Sequence, residues 1–329
     1  MPLIALVLTL IVGAGIPQAP TSADEAFKAG VRAYKAGQMD IARVHCIDAL
    51  KHDPALTDAS LLLGDILYRA DDLSGAINVY AQALVHAPSH ARIAERLDAW
   101  RKEAALHERF GQKLGDHFTV LFEGPAEAQL AQKAVEILEA AYWRIGGALY
   151  TYPYGVLTVV LYTREQFRDV TQSPEWAGGV YDGRIRMPVR GALENMREFE
   201  RVLAHELTHA IVHGLAPRGV PVWLNEGLAM NFEGTDPRAK EAELASAETR
   251  PSLRDLERSF AKLGTPAAKL AYAQSAVAVH RLLQDAGAPA VVGILTDLGR
   301  GIAFADAFER HANISYGNFQ RTIDQSANR

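Results

Sequence analysis

The residues of this chain best suited to chemistry are two histidines four positions apart with a glutamate between them, His205-Glu206-Leu207-Thr208-His209. On a helix, positions i and i+4 share one face a single turn apart. Two imidazoles so placed can bind one zinc ion at about 2.0–2.1 Å each. Five residues of this pattern arise easily by chance. A catalytic zinc takes three protein ligands and keeps one position open, so a third ligand decides the matter. His213 continues the same face, but at 1.5 Å per residue it stands roughly 12 Å from His205 and cannot share one ion with both histidines. It reads as a helix-end residue. Downstream, Trp223-Leu-Asn-Glu-Gly-Leu-Ala229 offers Glu226, 17 residues after His209. The connection holds Gly214, Pro217, Gly219 and Pro221, which lets a second helix double back toward the first.

These side chains need elements to position them. Phe199, Val202, Leu203, Leu207, Ala210 and Ile211 form an apolar stripe at helical spacing, with Gly214 as the expected stop. Upstream, Phe118–Phe122 alternates as a strand, residues 126–147 have helical period, and Val156–Tyr162 is β-branched enough for a buried strand. Gly179–Val189 suggests a further strand or a hairpin around Asp182-Gly183. From Leu193 onward nearly everything reads as helix. Strands first and helices afterward make an α+β domain with a helical C-terminal half.

The H-E-L-T-H segment followed by N-E-G-L-A resembles the gluzincin metallopeptidases, in particular the peptidase MA-like domains. The resemblance covers most of 118–325 and is strongest from Ala204 to Gly234. It implies a zincin-like fold with His205, His209 and Glu226 as ligands of one zinc ion per chain, and Glu206 as the catalytic base. It further implies hydrolysis of peptide bonds by a zinc-activated water. Related gluzincins use a Tyr or His from a later helix to stabilise the oxyanion, which makes Tyr272 the candidate here. By fold-level analogy, the Gly178-Gly179-Val180 region is an edge strand that pairs with an extended peptide. A metzincin would carry Gly three and His six residues after His209. Val212 and Leu215 stand there, so that family is excluded. Two other readings stay open: a non-catalytic peptide- or protein-binding scaffold with a structural or vestigial zinc site, and an amide hydrolase for a non-peptide substrate. The intact Glu206 argues against the scaffold, since a structural site needs no base. Asn225 and Glu233 are near in sequence, with no role that the sequence assigns.

The N-terminal third is of another kind. Segment 24–90 matches itself at a shift of 34 residues, aligning Gly30 with Gly64, Tyr34 with Tyr68, Ala42 with Ala76, Ala49 with Ala83 and Pro54 with Pro88. That period resembles the tetratricopeptide repeat, in which small residues let paired helices approach and Pro closes the second helix. Cys46 falls opposite Tyr80 and reads as a small core residue. Ala91–Phe110 is suited to a capping helix. The repeats either present a groove to a protein partner or pack against the next domain. Gly111–Gly115 looks like the boundary, giving repeats and cap over 24–110 and the metallopeptidase-like domain over 115–329.

Residues 1–23 carry no charged side chain, and Leu3–Ile16 is an apolar run of 14 residues, short of the roughly 20 that span a bilayer. Thr21-Ser22-Ala23 suits a signal-peptidase cut, so the expectation is a signal peptide and a periplasmic or secreted protein. Membrane attachment is expected only if the segment is uncleaved. A net charge of −5 offers no basic field for nucleic acid. The expected partner is a peptide or protein substrate.

Overall fold

The computed structural model describes residues 22–326 apart from 174–176, 190–191, 193–194 and 261–262. The expected signal peptide therefore lies almost wholly outside the described residues. Helices α1 (Ala23–Lys35), α2 (Met39–His52), α3 (Thr57–Arg69) and α4 (Leu73–His86) form two antiparallel hairpins, followed by α5 (Ala91–His107). The bounds of α3 and α4 are those of α1 and α2 moved by 34 residues. The contacts repeat as well. A Cβ on Gly30 would stand 3.1 Å from Cys46 Sγ, and one on Gly64 would stand 2.2 Å from the Tyr80 ring. Glycine at these two positions is what brings each helix against its partner. Trp100 of α5 closes the apolar end by stacking on Tyr68 and packing at a tilt on Tyr80, with ring centroids 5.0 and 4.5 Å away.

The stretch expected as a boundary is part of the next domain's sheet. Gly111–Leu114 forms β1, paired antiparallel with β2 (Phe118–Phe122). Its polar Gln112 and Lys113, exposed and half-buried, hide the strand from hydrophobic patterning, as suits an edge that must not attract other chains. After α6 (Ala128–Leu149) come β3 (Leu157–Tyr162), α7 (Arg164–Thr171), β4 (Val180–Tyr181) and β5 (Ile185–Pro188). The sheet order is β1-β2-β3-β5-β4, parallel in its centre and antiparallel at both edges. Alternation sends Val159 and Leu161 into a core with α6 and α8 (Met196–Leu215). Val160 and Tyr162 face the opposite side, where Phe167 and the end of α5 cover them.

The helical half contains α9 (Val222–Phe232), α10 (Pro237–Ala245), α11 (Thr265–Gly299), α12 (Phe304–Ala312) and α13 (Tyr316–Ser326). Its core gathers Trp223, Leu228, Val279, Ile294 and Phe308. Helix α11 breaks at Gly287, where φ is +80° and Pro289 follows. The helix α8 does not stop at Gly214. It runs to Leu215, because Pro217 forces the preceding Ala216 into extended backbone and ends the helix there.

The two parts are joined through the β4–β5 hairpin. Arg184 Nη1 and Arg186 Nη1 both donate to Glu103 Oε1 on α5, at 2.9 and 2.8 Å. Arg186 also donates to the Tyr68 and Tyr162 hydroxyls at 2.9 and 2.8 Å and to Asp182, while Arg184 pairs with Asp71. Tyr68 returns a bond to Glu103 Oε2 at 2.8 Å. Glu103, Arg184 and Arg186 are all buried. At the hairpin tip, Gly183 has φ +112°, and a Cβ there would lie 2.2 Å from the Arg69 carbonyl oxygen. Only glycine meets both demands.

Candidate metal centre

Helix α8 lines up Arg201, His205, His209 and His213 at intervals of four along one stripe. Helix α9 returns across it after the turn at Gly219 (φ +83°) and Pro221. Its approach depends on Gly227. A Cβ there would stand 2.3 Å from the Ser275 carbonyl oxygen and 2.5 Å from Val279 on α11. Asn231 Nδ2 adds a clasp, donating to the carbonyls of Gly227 (2.7 Å) and Ala276 (3.0 Å). With α9 seated this way, Glu226 points back at the two histidines.

Ligand atoms of His205, His209 and Glu226 lie within 4.8 Å of one another. Glu226 Oε2 is 3.5 Å from His205 Nε2 and 3.6 Å from His209 Nε2. Tetrahedral bonds of 2.0–2.1 Å would set ligand atoms about 3.3–3.4 Å apart, so the two edges at Glu226 match one zinc-sized ion. Charge points the same way. Glu206, Glu226 and Glu233 converge here, and among the described residues the guanidinium meeting them is Arg201, 2.6 Å from Glu233 Oε2. With the imidazoles neutral and the acids ionised, three carboxylates against one guanidinium, itself shared with Glu198, leave at least two negative charges for a dication to offset. Without a cation the site takes up protons. Burial alone would push His205 down, but bonding to Glu226 and Glu233 and the nearby Glu206 outweigh it and bring the imidazole up to about 10. Glu226 and Glu233 would be raised by burial, yet the imidazoles hold both below the ordinary carboxylate range.

Glu206 behaves differently. It shares the burial but is held above its ordinary range, because desolvation and the charges of Glu226 and Glu233 exceed the pull of His209 and His205. Its side chain packs on Gly179, where a Cβ would come within 2.8 Å of its Cγ. The residue expected to act as base thus faces the cleft beside β4, set apart from the three-ligand triangle. A cavity of about 460 Å³ opens above these residues. Val180, Tyr181, His213 and Tyr272 are among its walls. Tyr272 sits on α11 with its ring edge-on to Phe260, and burial together with Glu226 and Glu206 raises its hydroxyl well above the usual range. The strand β4 is the sheet edge, as expected of the Gly178–Val180 region, and it flanks this cavity.

The sequence assigns no role to Glu233, yet the fold brings it against His205. His205 Nδ1 donates to Glu233 Oε2 at 2.7 Å, which directs Nε2 toward the centre. Glu233 is fixed in turn by Arg201 and by Thr235. It lies seven residues, two helical turns, after Glu226 and so shares its spacing, but at the helix end that spacing does not say where the side chain turns. Among the described residues His209 has no such partner, and its Nδ1 is buried without a hydrogen bond. Other histidines lie elsewhere, His107 against Tyr162, His117 against Glu139 and His311 against Asp297.

With this geometry stand the comparisons. A model of the Peptidase MA superfamily matches residues 150–322, more than half of the chain, and the chain belongs to that superfamily. Among solved structures it is similar to yeast LTA4 hydrolase in complex with bestatin, with 16% identity over 65% of this chain and a TM-score of 0.43. It is similar likewise to native leukotriene A4 hydrolase from Saccharomyces cerevisiae, with 15% identity over 66% of this chain and the same TM-score. The chain spans 37% and 38% of those two proteins. No curated protein matches it.

Proposed function

We propose that this protein is a zinc-dependent peptidase. The observation that carries the reading is the His205–His209–Glu226 triangle with an unligated, buried Glu206 beside it. A zinc ion held by the three ligands would supply Lewis acidity, polarising a scissile carbonyl and lowering the pKa of a water toward about 7. Glu206 takes the proton of the attacking water and returns it to the leaving amine. Its raised pKa suits a group that must hold a proton between those two transfers. Tyr272, whose hydroxyl keeps its proton, donates to the developing oxyanion. The edge of β4 offers free backbone groups along one wall, and an extended peptide adds to it as another strand. Its neighbour Gly179 keeps that wall thin enough for Glu206 to reach the cleft.

The first two hairpins are read as tetratricopeptide-like on their 34-residue period, and residues 1–23 as an export signal that places the enzyme in the periplasm or outside the cell. No helix among the described residues is long and apolar enough to cross a membrane.

The test is metal content of the purified protein together with cleavage of an unstructured protein, with and without chelator. One zinc per chain and chelator-sensitive cleavage are expected. Glu206→Gln should keep the zinc and lose cleavage by about 10²–10⁴-fold, the usual worth of a general base. Glu226→Ala should lose the zinc. Stoichiometric metal in Glu226→Ala would overturn the ligand set.

A further inference from the structure

The cleft above the metal centre does not end at His213. A second cavity, of about 410 Å³, shares His213, Pro217, Arg218 and Gly219 with it and continues onto the first repeat hairpin and the end of α3. Its charged walls are Arg43, Arg69 and Arg218 with one carboxylate, Asp40, which sits 3.5 Å from Arg43. Neither Arg69 nor Arg218 has an ion-pair partner among the described residues. Arg218 is also held in place. The Arg218 guanidinium lies over the Tyr34 ring, 4.2 Å from its centroid. The backbone that carries Arg69 is fixed where its carbonyl abuts Gly183. His213, one turn or about 6 Å beyond His209, marks where one cavity passes into the other.

Building on the peptidase reading, we propose that this cavity is an anion subsite: Arg69 and Arg218 receive a carboxylate of the bound peptide. An extended chain advances about 3.3 Å per residue, so that carboxylate belongs at least two residues from the scissile bond. It is either the free C-terminus or an acidic side chain. The repeats then contribute directly to substrate selection, with guanidiniums matched to the fork of a carboxylate.

Binding is read by fluorescence anisotropy with zinc-loaded Glu206→Gln and three short labelled peptides of one neutral sequence. The first has a free C-terminus, the second is amidated, and the third is amidated with one internal glutamate. At least one carboxylate-bearing peptide should bind about five- to tenfold tighter than the neutral amide. Which one does so identifies the source of the carboxylate. The preference should vanish when Arg69→Gln and Arg218→Gln are combined, two exposed changes that leave zinc content and melting temperature as they were. Equal affinity for all three peptides, no measurable binding of any, or a preference that survives the double change would overturn the subsite. Chelator-sensitive cleavage without charge preference would sink the subsite and leave the peptidase standing. An arginine-dependent preference in a protein that holds no zinc would do the reverse.

Discussion

Two buried clusters of charge lie on either side of the β4–β5 hairpin, and they are built on opposite terms. At the domain junction each ion has an opposite partner within the chain: Glu103 accepts from Arg184 and Arg186, which reach Asp71 and Asp182 with their remaining donors. Among the described residues of the metal centre the carboxylates outnumber the cations, and His209 Nδ1 is left without an acceptor. The junction is complete as folded, while the centre is complete only with something added. A balanced cluster specifies which surfaces meet, and an unbalanced one holds binding free energy in reserve for a ligand.

The contrast breaks most visibly at Glu103. Glu103→Ala strands two buried guanidiniums and should cost about 3–5 kcal/mol of stability, measured by urea unfolding. A loss below 1 kcal/mol would mean that the junction is solvated and does not hold the parts together. At the other cluster, Glu233→Gln should weaken zinc binding about 10–100-fold in a chelator competition, by removing the charge behind His205. Unchanged affinity would show that His205 is oriented by packing alone. The sharpest contrast is the sign of one stability change. Because its neighbours hold Glu206 above its ordinary range, the ionised carboxylate opposes folding, so Glu206→Gln should stabilise the metal-free protein by about 0.5–2 kcal/mol. Destabilisation there would show that the centre, like the junction, is satisfied without metal. The smallest effect concerns acid. Burial lowers His107 to about 4 in the fold, against about 6.5 unfolded. Its folded pKa is depressed, so the unfolded chain binds more protons between those values. The stability it contributes is complete above about 6.5 and is lost as pH falls through about 4. His107→Gln should flatten that part of the unfolding profile, and an unchanged slope would assign it to other groups.

The sequence carried the ligands more clearly than it carried their surroundings. His205, His209 and Glu226 are legible because helical period turns spacing into geometry, and the Gly/Pro-rich turn between α8 and α9 announces a reversal. Glu233 obeys the same period but sits at the helix end, where nothing in the sequence says that a carboxylate turns inward. The junction could not be read at all. Arg184 and Asp71 are 113 positions apart, and no periodicity links a turn between two helices to the tip of a hairpin. The strand β1 was hidden for another reason: as an exposed edge it has no apolar face to alternate.

Gly183 sits under the Arg69 carbonyl with no room for a side chain, and the two guanidiniums beside it end on a helix of the other part. Two lengths of chain joined in this way are inherited as a pair. Grafting different repeats onto the metal-binding half, or cutting the chain between them, would leave the hairpin beside Glu206 without its support. Swapping partners would therefore require matching changes at 71, 103, 183, 184 and 186 together, so recombination at the apparent linker is a poor route to new variants of this protein.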